Sequence, residues 1–548
     1  MKNNNIVAAL YNENRIGPVI SLIIAGAVLL LCVVLCFLGD RELARAEGLY
    51  ATSATEYTPG LTTTAHSVIQ TKVHPLYPAL VSLVRHSCLP METALRSVSL
   101  FMLIAWAALA GFAAAGRRNY RAGIVTFLFC LTSIFFLDKG GDGGPETLTA
   151  FFLLCAQLTF FYFGSRKANW NLAWLTAGCA LALAFLAGGF VAVLFFVFPI
   201  LFLRRPLSLR SKYNTPGFAV GLLLLLLVIT GWGLSTGLAL REYGVGVELP
   251  APFTWEYFKE LITFPLALVI RLLPWSFIAW LPFCVALQDI DPSPGYSRYL
   301  RTVFFASFVL VWILPDLPSR SYFYIIAPLA ILTGINYDLG VRRYGTVIRK
   351  LLFFGEFFFI GTMLSLALFY ILPASYLKFA APEDELVFRE AAYFLPATLI
   401  ALALLFVLWM IFKLSRKNMP VWSLLLMIFL SLTIFTVMLV LPLNLKEQRW
   451  RTIGGEIVEV FKDSPPPVIY KSDFDGLYNA LFYTKVPIVK LRNINELPAT
   501  KQVIFLLTPE VPPSMGRTWQ VLYNFSNAPV RLWRGELLNE NTESGDDE

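Results

Sequence analysis

Long apolar runs separated by short polar segments dominate the first 441 residues. About twenty apolar residues in a helix match the hydrocarbon thickness of a bilayer. The pattern predicts about thirteen membrane-spanning helices, at residues 19–38, 98–115, 124–137, 148–163, 173–186, 190–202, 217–237, 264–287, 303–314, 323–339, 351–372, 394–412 and 421–441. Residues 75–84 are too short and too interrupted to cross, and they predict an amphipathic helix lying at the membrane interface. From residue 442 the pattern changes. Short β-prone runs at 467–470, 486–491, 502–507 and 520–523, with a helix-like piece at 475–482, predict a small soluble α/β domain. Its tail, 539–548, is polar and acidic, a composition that predicts disorder. The predicted fold class is therefore an α-helical polytopic membrane protein with a small C-terminal α/β domain. The division read from composition is 1–441, including an external loop at 39–95, and 442–548.

Composition agrees with this picture. The 548 residues are 57% hydrophobic and 15% charged, with a mean hydropathy of +0.65, a balance soluble globular domains do not show. The net charge of +8 is no nucleic-acid footprint, because most Lys and Arg fall in short clusters between apolar runs. Basic loops mark the cytoplasmic side. Lys2 and Arg15 place the N-terminus inside, and clusters such as Arg117-Arg118, Arg166-Lys167, Arg204-Arg205 and Arg342-Arg343 mark later inner loops. An odd number of crossings then leaves the C-terminal domain outside. Six of the seven cysteines lie in apolar runs, so no disulfide framework is implied, and no His/Cys spacing suits zinc.

This orientation gathers polar groups on the outer side: Asp40, Glu42, Arg45, Glu47, Lys72, His74, Asp138, Asp142, Glu146, Arg241, Arg271, Asp316 and Arg320. Asp40 ends the first apolar run, in Gly39-Asp40-Arg41-Glu42, where a helix meets water. A carboxylate at such a boundary is a functional candidate. Carboxylates can take a proton from an attacking hydroxyl, and Lys or Arg can hold a phosphate and neutralise the charge it gains on leaving. Bland roles stand beside these. Glu42 and Arg45 are spaced as an i,i+3 helix pair, Asp138 and Asp142 sit in a Gly-rich turn where Asp is a common turn former, His74 before proline suits an interface hydrogen bond, and Arg271 is placed to snorkel.

Asp40 after the first span, the element Lys72-Val73-His74-Pro75-Leu76-Tyr77-Pro78, and Pro145-Glu146-Thr147-Leu148 at the start of the fourth span together resemble the GT-C glycosyltransferases that use polyprenyl-phosphate sugars. The likeness is to the aminoarabinose lipid A transferases and the protein O-mannosyltransferases. Leu273-Pro274-Trp275-Ser276 and the run from Pro318 through Arg320 to Pro328 match further elements. The layout, many spans and an external C-terminal domain, is that of the lipid A branch. The resemblance implies that Asp40 activates the acceptor hydroxyl and that Glu146 is the second acidic position. It implies Lys72 and Arg320 as contacts to the lipid phosphate, with Arg271 as a further cation, and His74, Tyr77 and Asp142 as cavity residues. The first loop departs from the usual pattern, because Arg41 separates Asp40 from Glu42, so Glu42 stands as a rival base. Ala187-Gly188-Gly189 stands where relatives carry a phosphate-contacting lysine.

The implied activity is an inverting sugar transfer from a polyprenyl-phosphate donor to a hydroxyl or phosphate of a glycolipid, glycan or protein acceptor, at the outer face of a bacterial inner membrane. The alternative is a flippase or transporter for a lipid-linked sugar, which needs charges along a path through the membrane. No cofactor is required. A divalent metal bridging Asp40, Glu146 and the phosphate is compatible with the residue set. Membrane lipids are the other partners expected, and nucleic acid is not.

Overall fold

In a computed structural model, the thirteen predicted spans fall on helices, two of them broken: 124–137 at Thr132–Ser133, and 264–287 into four pieces. The structure describes residues 17–37, 42–44, 46–66, 68–70, 73–86, 89–203, 212–237, 255–314, 322–372, 394–441, 450–461, 468–472, 477–491, 495, 497–498, 501–525 and 530–537. Among them, eight helices are long and apolar enough to cross a membrane. The other segments explain the gap to thirteen. Tyr322–Ile371 runs through two predicted spans as one 50-residue stretch. Tyr120–Leu131 and Phe190–Leu201 are only 12 residues each. Tyr257–Arg271 and Ser276–Phe283 form a pair bent by 106°. Pro294–Ile313 carries Arg298 and Arg301 near its start, which lowers its apolarity.

Packing divides the chain into two units, Met1–Gly39 with Arg96–Glu447, and Asp40–Leu95 with Gln448–Glu548. This differs from the division by composition, which put 39–95 with the membrane helices. Local composition carries no information on which distant segment a polar loop packs against.

The first unit is a helical bundle whose core buries Trp106, Trp275, Phe129, Phe135, Phe160, Phe185 and Phe195. Small residues let its helices approach closely, as in other membrane bundles. A Cβ on Gly178 of Trp170–Gly188 would meet the backbone of Gly221 in Pro216–Ser235 at 2.7 Å. Asn119 caps Tyr120–Leu131 by accepting the Ala122 N–H at 2.9 Å. Its amide also donates to Asp338 Oδ2 at 2.7 Å, tying this helix to Tyr322–Leu351.

The second unit is α/β. A short hairpin, β1 (Thr64–Ala65) with β2 (Val68–Ile69), lies in the 40–95 segment, together with the helices Glu47–Thr55 and Leu76–Arg85. The C-terminal part supplies helices Trp450–Val460 and Tyr478–Thr484 and five strands, β3 (Ile469–Lys471), β4 (Ile488–Lys490), β5 (Val503–Thr508), β6 (Arg517–Asn524) and β7 (Arg531–Leu537). Their order is β4-β3-β5-β7-β6, parallel on the β4-β3-β5 side and antiparallel on the β5-β7-β6 side. Alternation along the strands places Ile469, Leu507 and Leu532 in one core cluster and Tyr470, Leu506 and Trp533 in another. The two parts of the unit meet closely. Gly48 N–H donates to Asn479 Oδ1 at 2.7 Å, and a Cβ on Gly48 would run into the Asn479 side chain and backbone.

Candidate functional site

In the first unit the stretch from Asp138 to Glu146 carries three acids, Asp138, Asp142 and Glu146. Four glycines and Pro145 stop the short helix Ile134–Lys139 and delay the next one until Glu146–Phe161. The turn is fixed from below by Ser99, whose Oγ donates to the Gly144 carbonyl at 3.0 Å and accepts the Gly144 N–H at 2.9 Å. Lys139, 8% exposed, lies 3.8 Å from Asp138. Asp142 is buried, whereas Glu146 is partly exposed in the first turn of its helix. A carboxylate there complements the positive end of the helix dipole. The two acids predicted from sequence thus share one clamped turn.

The same neighbourhood holds Arg271. Its guanidinium lies 4.4 Å from the ring centre of Tyr322, the first residue of Tyr322–Leu351. Tyr322 and Phe135 have ring centres 5.7 Å apart. Phe135 belongs to the short helix that leads into the acidic turn, and Ile134 N–H donates to the Leu273 carbonyl at 2.8 Å. Trp275 Nε1 donates to Thr132 Oγ1 at 2.8 Å, closing the connection. Arg271 therefore makes a cation–π contact with Tyr322.

In the second unit Glu42 has a different part from the one expected. Its Oε2 accepts the backbone N–H groups of Trp450, at 2.6 Å, and Arg451, at 3.2 Å. Glu42 thus caps the helix Trp450–Val460, satisfying donors that have no intrahelical acceptor. Leu43 N–H donates to Tyr483 Oη at 2.9 Å, and Ala44 N–H to Glu47 Oε2 at 2.8 Å. Tyr77 is fully buried, its hydroxyl donating to the Leu95 carbonyl at 3.0 Å and its ring edge-on to Tyr50. That places it in packing rather than on a surface a substrate could reach. His74 keeps part of its surface exposed, but its Nδ1 is buried. Burial pushes its imidazole down from 6.5 to about 4, so it is neutral at pH 7.

Asp40, Lys72 and Arg320, three of the residues expected at the site, lie outside the described residues. Among the described residues no three His, Cys, Asp or Glu come together as a metal site. Sequence reasoning missed Glu92, Arg451 and Tyr483. Arg451 Nη2 and Tyr483 Oη each donate to Glu92 Oε1 at 3.1 Å. No local pattern marks these residues, because the segments that hold them are hundreds of positions apart.

No protein-family model matches the chain, and no curated protein matches it. Solved structures do. ArnT from Cupriavidus metallidurans in the apo state superposes with a TM-score of 0.65 at 16% identity, covering 95% of this chain and 98% of that one. The same protein bound to undecaprenyl phosphate gives 0.61 at 14% identity, covering 94% and 97%. Over nearly its whole length, the chain has the fold seen in the ArnT structures.

Proposed function

We propose that the protein is a membrane glycosyltransferase that moves a sugar from a polyprenyl-phosphate donor to an acceptor hydroxyl or phosphate of a cell-envelope glycolipid, polymer or protein. The observation that carries this reading is the whole-chain match to a fold crystallised with undecaprenyl phosphate. The acidic turn from Asp138 to Glu146 and Arg271, over the Tyr322 ring, supply chemistry that suits such a donor. The cytoplasmic N-terminus and the outward-facing C-terminal part belong to the same proposal.

In this reading the donor's phosphate is held by Lys72 and Arg320, with Arg271 adding positive charge. Asp40 takes the proton of the acceptor hydroxyl as its oxygen attacks the anomeric carbon. The bond from that carbon to the phosphate oxygen breaks on the opposite face, so configuration inverts and polyprenyl phosphate leaves. Phosphate is already a good leaving group, so positioning and charge neutralisation supply most of the rate. Glu146 orients the acceptor.

The test compares envelope glycolipids and glycoproteins by mass spectrometry, with and without the protein. A sugar-sized mass gain on an envelope component is expected only with it. Asp40→Asn should lower that product by about 10²- to 10⁴-fold, the range for removing a general base. Near-normal product from a folded, inserted Asp40→Asn variant would reject Asp40 as the base.

A further inference from the structure

The helix Tyr322–Leu351 has 30 residues. At 1.5 Å per residue that is about 45 Å, whereas the hydrocarbon core of a bilayer is about 30 Å thick. Its apolar first part crosses, and its last part must leave the hydrocarbon. That last part carries Arg342, Arg343, Arg349 and Lys350. Along it Val341, Gly345 and Ile348 are buried, while Arg342, Arg343 and Lys350 are exposed. Tyr322, at the start of the helix, lies against Arg271. Arg342 is about 30 Å further along the helix, which puts it at the opposite membrane surface.

The end of Phe394–Ser415 joins the same surface. Arg349 donates to the carbonyls of Arg416 and Met419, the second at 3.1 Å. Carbonyls past a helix end have no intrahelical donor, so this guanidinium satisfies them. Arg416 in turn pairs with Glu356 Oε1 at 2.6 Å and lies 5.3 Å from the Phe353 ring centre. The segments 342–356 and 413–419 are thus tied into one surface, and they hold seven Lys or Arg against a single acid, Glu356. Arg349 and Arg416 hold the surface together, and Arg342, Lys350, Lys413 and Lys417 are exposed on it. Phe353, Phe354 and Phe357 are exposed as well. Their ring centres lie 6.1 to 6.3 Å from one another.

An excess of cations beside three exposed rings selects its occupant. A soluble anion would match the charge and leave the rings in water. A zwitterionic lipid would cover the rings and leave the charge unmatched. An anionic phospholipid satisfies both, and basic pockets between membrane helices bind such headgroups. We infer that the surface formed by 342–356 and 413–419 is a binding site for an anionic phospholipid. Lys350, Lys413 and Lys417 hold the headgroup phosphate, and Phe353, Phe354 and Phe357 line its acyl chains. The site needs no sugar transfer, so it stands whether or not the transferase reading does.

The experiment places the full chain in nanodiscs of phosphatidylcholine with a minor share of phosphatidylglycerol, releases it into detergent, and reads the lipid it retains by native mass spectrometry. Phosphatidylglycerol should be enriched over its share of the bilayer, and less so at high salt. One cation near an anionic lipid surface is worth about fivefold in binding. Lys350→Gln, Lys413→Gln and Lys417→Gln together should therefore lower the enrichment by about 10- to 100-fold, at an unfolding temperature near wild type. The control removes three cations elsewhere, Arg118→Gln, Arg166→Gln and Lys167→Gln, and should keep most of the enrichment. No enrichment in the wild type, or equal losses in the two triple variants, overturns the site. Full displacement of the lipid by soluble glycerol phosphate also overturns it, because it shows an anion site that holds no lipid. Should the first triple variant not insert, Lys350→Gln and Lys417→Gln singly decide, each expected to cost about fivefold.

Discussion

Histidine changes charge near neutrality only when its surroundings let it, and the surroundings of His74 do not. Burial lowers its pKa from 6.5 to about 4. The folded chain therefore binds less proton there than the unfolded chain between these values. The stabilisation is fully present above pH 6.5 and is lost as pH falls toward 4. The expected outcome is a thermal unfolding midpoint that falls between these two pH values, and falls less in His74→Gln. Equal slopes in the two proteins, followed by scanning fluorimetry across that range, would remove His74 from the account. Tyr77 and Glu42 teach a related lesson. Both are polar and lie between the first two predicted spans, yet one fills a core and the other closes a helix end.

Among the helices, Trp170–Gly188 and Pro216–Ser235 approach each other closely enough that their backbones touch. There Gly178 faces Gly221 with no side chain between them. Asn171 Oδ1 also accepts the Gly217 N–H at 3.1 Å, fixing the helices near one end. A side chain at this crossing must push the two apart, and overpacking of this kind costs about 1–3 kcal/mol. Gly221→Val should lower the detergent-solubilised unfolding midpoint by several degrees. The neighbouring Leu222→Ala is the control and should leave the midpoint near wild type. The 42% exposure of Leu222 is the reason for that contrast. Equal midpoints for the two variants would show that the crossing tolerates a larger residue. The acidic turn is a different kind of element. Ser99 holds it through both backbone polar groups of Gly144.

At the scale of the whole chain, the second unit is built from two segments separated by most of the first. The 40–95 segment leans on the C-terminal one. Asn479 and Tyr483 receive Gly48 and Leu43, and the Tyr478 ring stacks on His66 at 5.6 Å. Removing 448–548 takes away these partners. The truncated chain should insert but become sensitive to protease within 42–95, while the full chain resists. Equal resistance of that stretch in both, judged by mass spectrometry of the fragments, would mean that 40–95 holds its structure without the C-terminal part.

The periodicity and length of apolar runs determine helices in a solvent that leaves no backbone group unpaired, so the thirteen helical segments were legible without coordinates. So were the short helix at Leu76–Arg85 and four of the five C-terminal strands. β7 escaped because Arg531, Arg534, Gly535 and Glu536 give it weak strand character, although it lies between β5 and β6. Gly535 is needed there because a Cβ would meet the Trp519 ring. The acids of the Gly-rich turn and Arg271 were legible as candidates from residue type and place. Only the tertiary structure decided that Arg271 lies over the Tyr322 ring, that Glu42 is a cap, and that 40–95 belongs with 448–548. Local pattern follows from near neighbours along the chain, whereas these pairings depend on which distant groups the finished fold brings within hydrogen-bonding reach.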